Sequence, residues 1–178
     1  MNLGVVHAQL GELERAEQDY RTALALDSEF VSAYVNLADV YRVMGQNDRS
    51  EEILRQAPDD AAGVRHALGL TLVRLKRKEE ALEEFKVASE LSPDEPRYAY
   101  VYGVALQSTG EVDQSIRVLR EASEQHPYDG DILVALVTTY RDRGAFEDAL
   151  HYARRLRSLN PADTSIQQLV AQLELALR

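Results

Sequence analysis

The 178-residue chain has no cysteine, which excludes disulfides, thiolate metal sites and a cysteine nucleophile. It is short of positive charge. Twenty lysines and arginines stand against 30 aspartates and glutamates, a formal net charge of -10. Binders of bulk nucleic acid or of anionic membrane surfaces carry the opposite excess, so neither partner is expected. No apolar run reaches the roughly 18 residues that a bilayer span needs. The opening MNLGVVHAQLGELE has neither the basic start nor the apolar stretch of a secretory leader. His7, His66, His126 and His151 never stand three or four residues apart, so no helical metal pair exists. GxSxG, Walker and GxGxxG motifs are all missing. These gaps predict no catalytic residues, no metal, no cofactor and no enzyme activity. Glu79, Glu80, Glu83 and Glu84 look like paired carboxylates, but they flank Ala81, Leu82 and Phe85 and are expected to form a solvated helix face.

What the chain has is a repeated skeleton. Leu68–Gly69 is followed by Ala81, Phe85, Ala88 and Pro93, and Gly103 by Ser115, Leu119, Ala122 and Pro127. Leu136 is followed by Gly144, Ala149, Ala153 and Pro161, and Leu3–Gly4 by Gly11, Ala16, Tyr20 and Ala23. The spacing predicts two helices per repeat. Small residues at Gly4, Ala38, Gly69 and Gly103 let the helices approach, and large ones at Tyr20, Leu54, Phe85 and Leu119 fill the space opposite. Ala16, Ala81 and Ala149 are the small contacts of the second helix, a place that Ser50 and Ser115 take elsewhere. Pro93, Pro127 and Pro161 stop the second helices.

A two-helix repeat of about 34 residues resembles the tetratricopeptide (TPR) repeat. The resemblance covers nearly the whole chain and implies an all-α, right-handed α-solenoid. It divides residues 1–178 into repeats at about 1–30, 31–61, 62–95, 96–129 and 130–163, closed by a capping helix over 164–178. Ile166, Leu169, Val170, Leu173 and Leu177 form the apolar face of that helix. The first repeat starts inside its first helix, so the sequence reads as a piece of a longer chain. The second repeat is about three residues short, with its second helix expected over Asp48–Ala57 and ended by Pro58. Lys76 stands where other repeats have a turn glycine, and Ser28 where the family has proline.

The resemblance also implies a function. First helices of successive TPR repeats line a concave groove that binds peptides or helices. Carried onto this chain, the groove positions include Arg42, His66, Leu70 and Arg74, then Arg97, Tyr100, Val104 and Arg141. Apolar and aromatic positions with arginines around them suit a peptide with an acidic or carboxylate group. Tyr102, beside Tyr100, takes a core position, and Tyr98 shares its face. The lysine/asparagine clamp for a C-terminal carboxylate is not expected, because Asn36 alone fits it in the first three repeats, where Gly63 and Ala67 stand at basic positions. The partner expected is a protein or peptide. The other reading is structural, a self-associating or spacing module of a longer protein without a groove ligand. The run from HALGLTLVRL through ARRLRSLNP is similar to TPR regions of bacterial multihaem cytochrome c proteins. That resemblance would imply a periplasmic setting in place of a cytoplasmic one, although no CxxCH is present.

Overall fold

The computed structural model describes residues 3–178, and Met1 and Asn2, assigned by sequence to the first helix, lie outside the described residues. Among the described residues there are eleven α-helices and no strand. They are α1 (Leu3–Gln9), α2 (Leu13–Leu26), α3 (Val31–Val43), α4 (Asn47–Leu54), α5 (Ala62–Arg74) and α6 (Lys78–Leu91). Then follow α7 (Pro96–Ser108), α8 (Val112–Gln125), α9 (Gly130–Asp142), α10 (Phe146–Leu159) and α11 (Thr164–Ala176). Their packing forms two compact units, Met1–Ser92 and Pro93–Arg178. In the first, α1 packs on α2, α2 on α3, α3 on α4 and α5, and α5 on α4 and α6. In the second, α7 packs on α8 and α9, α9 on α8 and α10, and α10 on α11. Each helix thus buries its apolar stripe on helices one or two steps away in the chain.

The tight turn inside each repeat follows from one left-handed residue. Gly45 has φ 75° and Lys76 φ 64°. Both turns close with the same backbone bond, Gln46 N–H to the Tyr41 carbonyl at 2.8 Å and Arg77 N–H to the Leu72 carbonyl at 2.9 Å. Lys76 therefore keeps the glycine geometry, at a cost of about 1 kcal/mol for its Cβ.

Close approach explains the helical glycines. A Cβ on Gly69 would lie 2.5 Å from the Phe85 ring, and one on Gly103 2.6 Å from Leu119. The last repeat inverts this arrangement. Val137 takes the glycine register and Ala153 the large one, both within a single buried cluster.

Two sequence expectations need correction. Helix α4 ends at Leu54 and not at Ala57, because Gln56 and Ala57 N–H groups turn back to the Ile53 and Leu54 carbonyls. Ala57 is still buried in that turn. In α11, Val170 and Leu173 are buried and Ile166 and Leu169 are half-buried, but Leu177 is 42% exposed and lies outside the packed face. Asp163 caps this helix by accepting from the Ser165 and Ile166 N–H groups.

Candidate functional site

The expected groove positions lie on the first helices of the repeats, and each unit is described by itself. In the first unit, α3 carries Val35, Asp39 and Arg42, and α5 carries His66, Leu70, Val73 and Arg74; Val43, not among the expected positions, shares the register of Arg74. Arg42 is a structural side chain. It is 11% exposed, ion-paired with Asp39, and donates from Nη1 to the Ala67 carbonyl at 3.1 Å and to Thr71 Oγ1 at 3.3 Å. Burial first, and then the positive charge of Arg74, push its pKa down to about 10. His66 is not on the surface, contrary to the register. It is 6% exposed, with its ring centroid 5.8 Å from that of Phe85. Leu70 is half-buried, and Val73 and Arg74 are exposed. Beside Asp39 and Val43 a cleft of about 390 Å³ opens between α1, α2 and α3. Val5, Ala8, Leu13 and Val43 line it, with Gln9, Asn36 and Asp39 as its polar groups.

In the second unit, α7 carries Arg97, Tyr100 and Val104, and α9 carries Val134 and Arg141. Tyr100 is half-buried, while Val104 and Val134 are exposed. Arg97 and Tyr100 share a cleft of about 290 Å³ with Glu95, Pro96, Val101, Asp129 and Asp131. Arg141 donates from Nε and Nη2 to its neighbour Asp142, at 3.2 and 3.1 Å. Tyr102 is 5% exposed and its hydroxyl accepts from Gln114, as its core register requires.

A polar connection under both faces escaped the sequence reading. The hydroxyls of Ser50 on α4 and Thr71 on α5 lie 2.9 Å apart, with the Ala38 and Ala67 carbonyls within hydrogen-bond reach. Arg42 completes this group. In the second unit Gln107 donates to Ser115 at 3.1 Å and to Thr139 at 2.7 Å, and Thr139 donates to the Ala135 carbonyl. Arg42 and Gln107 occupy the same register, as do Ser50 and Ser115, and Thr71 and Thr139. The available signal was the pair of serines at small-residue positions, each followed one repeat later by a threonine.

The acidic run on α6 also needs a correction. Only Glu84 departs from the solvated face, being half-buried and bound to Arg65 at 3.1 Å, while Glu79, Glu80 and Glu83 are exposed, with Glu80 holding Arg77 at 2.5 Å. A second ionic group ties the first repeat to the second. Tyr41 donates to Glu17 at 2.9 Å and accepts from Arg21 at 2.8 Å and Arg49 at 3.0 Å. Burial alone would raise the Glu17 carboxyl, but the bonds from Tyr41, Arg21 and Arg49 outweigh it and hold the pKa below the usual range. No group of three or more potential metal ligands occurs among the described residues. No helix there is long and apolar enough to cross a membrane.

Family comparisons agree with the repeat geometry. One tetratricopeptide-repeat family model matches residues 7–71 and 106–173, and another matches residues 66–130. The chain belongs to the tetratricopeptide repeat family. This family fold is a scaffold for protein–protein interaction. Among curated proteins, the human protein O-mannosyl-transferase TMTC1 is 25% identical over 179 residues, 97% of this chain. The chain spans 20% of the length of that relative. Among solved structures, pilF of Pseudomonas aeruginosa is 20% identical with a TM-score of 0.79, over 98% of this chain and 81% of its own. YrrB, described as a TPR protein with an unusual peptide-binding site, is 24% identical with a TM-score of 0.71, over 98% of this chain and 89% of its own. At those identities the two structures establish the TPR solenoid fold class alone.

Proposed function

We propose that this chain is a protein-interaction scaffold that holds a peptide or a helix against the first-helix faces of its repeats, and that it is not an enzyme. One observation carries the reading. Apolar side chains stand in solvent at the groove registers: Val43 (70% exposed) and Val73 (46%) in the first unit, Val104 (41%) and Val134 (48%) in the second. A merely solvated helix face would be polar there. Apolar area left uncovered by folding, next to clefts of some hundreds of Å³, is what a protein partner buries. In the first unit the partner segment is acidic or carries a carboxylate. Arg74 lies close enough to Arg42 to disfavour its charge, and an incoming carboxylate relieves that repulsion. The transferase name of the human relative belongs to a protein of which this chain is the match for one fifth, so transfer chemistry is no part of the proposal.

The test is selection of short peptides on the full chain, followed by titration against wild type, a Val43→Asp/Val73→Asp variant and Arg74→Ala. The valine variant should lose at least about tenfold in affinity with its melting temperature unchanged, since both residues are exposed. Arg74→Ala should weaken acidic peptides and flatten their salt dependence. Equal affinities for all three proteins, with concentration-dependent self-association in sedimentation, would replace this reading by the structural one.

A further inference from the structure

The charge around Arg97 points to a different ligand from the one its register suggests. The cleft at the start of α7 has Glu95, Asp129 and Asp131 on its rim against the single cation of Arg97. The side chains of Arg97, Glu95 and Asp131 make no hydrogen bond or ion pair among the described residues, and the Asp129 carboxylate accepts one bond, from the Ile132 N–H at 2.9 Å. Arg97 therefore neutralises none of the three carboxylates by direct contact. A carboxylate entering this cleft would meet three like charges for one opposite charge, whereas a cation meets the reverse. The floor suits a long side chain, with Tyr100 half-buried and Pro96 and Val101 beside it. One turn further along α7, Val104 offers 41% exposed apolar surface.

We infer that the cleft of the second unit takes a lysine or arginine side chain of a peptide partner. Its aliphatic stem lies on Tyr100 and Val101, and its cation meets Glu95 and Asp131. Stem burial with a charged tip at the rim is how long basic side chains use amphipathic surfaces, and the Tyr100 ring adds a cation–π contribution. The next residue of the ligand on that face is apolar, to cover Val104. This inference rests on the groove-binding reading above and names the partner chemistry for one cleft within it.

The test uses the full chain labelled with ¹⁵N and two synthetic peptides with identical apolar residues. One carries lysine and the other glutamate at every charged position. The lysine peptide should shift the amides of Tyr100, Val101 and Asp131 and bind at least about tenfold more tightly at this cleft than the glutamate peptide. Glu95→Gln/Asp131→Asn should bring the two within about threefold of each other. Both residues are exposed and neither caps a helix by a side-chain bond, so this variant should fold as wild type does. Asp129 is left in place because it caps α9. Two results overturn the inference: the glutamate peptide shifting the same amides equally, or unchanged lysine-peptide affinity in the double variant. A glutamate peptide that moves Val73 and Arg74 while the lysine peptide leaves the cleft silent defeats this inference and keeps the groove reading. Silence of both peptides at every groove position defeats both.

Discussion

Arg42 shows how one side chain can be mistaken for a binding residue. Its register is one of the expected groove positions, yet its guanidinium is committed to Asp39, the Ala67 carbonyl and Thr71. Holding the charge there has a cost, visible as the pKa pushed down to about 10 by burial and by Arg74. The sign follows from linkage. A cationic group with a depressed folded pKa is a destabilising term at neutral pH, relieved only as pH rises through about 10 and beyond. Gln107 does the same bridging work at the same register without a charge, donating to both Ser115 and Thr139. Arg42→Gln should therefore keep a donor to Thr71 and remove the buried charge. Urea unfolding should give a stability equal to wild type or higher by up to about 2 kcal/mol. A loss above about 1 kcal/mol would mean that the contact with the Ala67 carbonyl, out of reach of the shorter amide, outweighs the cost of the charge.

Between paired helices, size complementarity is the rule that the sequence made legible. Gly69 faces Phe85, Gly103 faces Leu119, Gly4 faces Tyr20, and Val137 shares its register pair with Ala153. Gly69→Val alone overpacks against Phe85, at about 1–3 kcal/mol. Phe85→Ala alone opens a cavity, at about 3–5 kcal/mol. Together they recreate the pair of the last repeat, so the double variant should be more stable than the sum of the two losses by about 1–3 kcal/mol. A double-mutant cycle by urea denaturation measures this, and additivity within about 0.5 kcal/mol would show that the two positions do not set helix spacing jointly. The repeat period, the turns and the small/large pairs could be read because each is a property of register. Exposure could not, since it depends on the neighbour across the helix pair. His66 shares a register with Val35, Tyr100 and Val134, but it lies against the large Phe85 ring and is buried, while Val134 is exposed. The unneutralised carboxylates beside Arg97 were hidden for a related reason. Asp129 and Asp131 are more than 30 positions away in sequence and reach the cleft through the α8–α9 turn.

Charge and core are shared out between both halves of the chain. Residues 1–92 hold 17 acidic and 11 basic side chains, and residues 93–178 hold 13 and 9, so each half has the acidic excess that keeps surfaces soluble. Each half also has its own interior. In the second unit, Leu119, Ile132, Leu133, Leu136, Ala153, Val170 and Leu173 belong to one apolar cluster drawn from α8, α9, α10 and α11, all at 3% exposure or less. The helix contacts of this unit are between helices one or two steps apart in the chain, and such local topology folds quickly and without distant partners. A polypeptide of residues 93–178 should therefore be helical by circular dichroism and should melt cooperatively. It should be less stable than the full chain, because two helix pairs and α11 fall short of the roughly three repeats that give a TPR-type stack its stability. Thr139→Val in this fragment should lower its melting temperature, since Gln107 loses an acceptor beneath α9. A fragment with no cooperative transition at 25 °C or above would mean that the apolar cluster is insufficient alone. Stability would then belong to the complete set of repeats, as nearest-neighbour coupling along a longer stack allows.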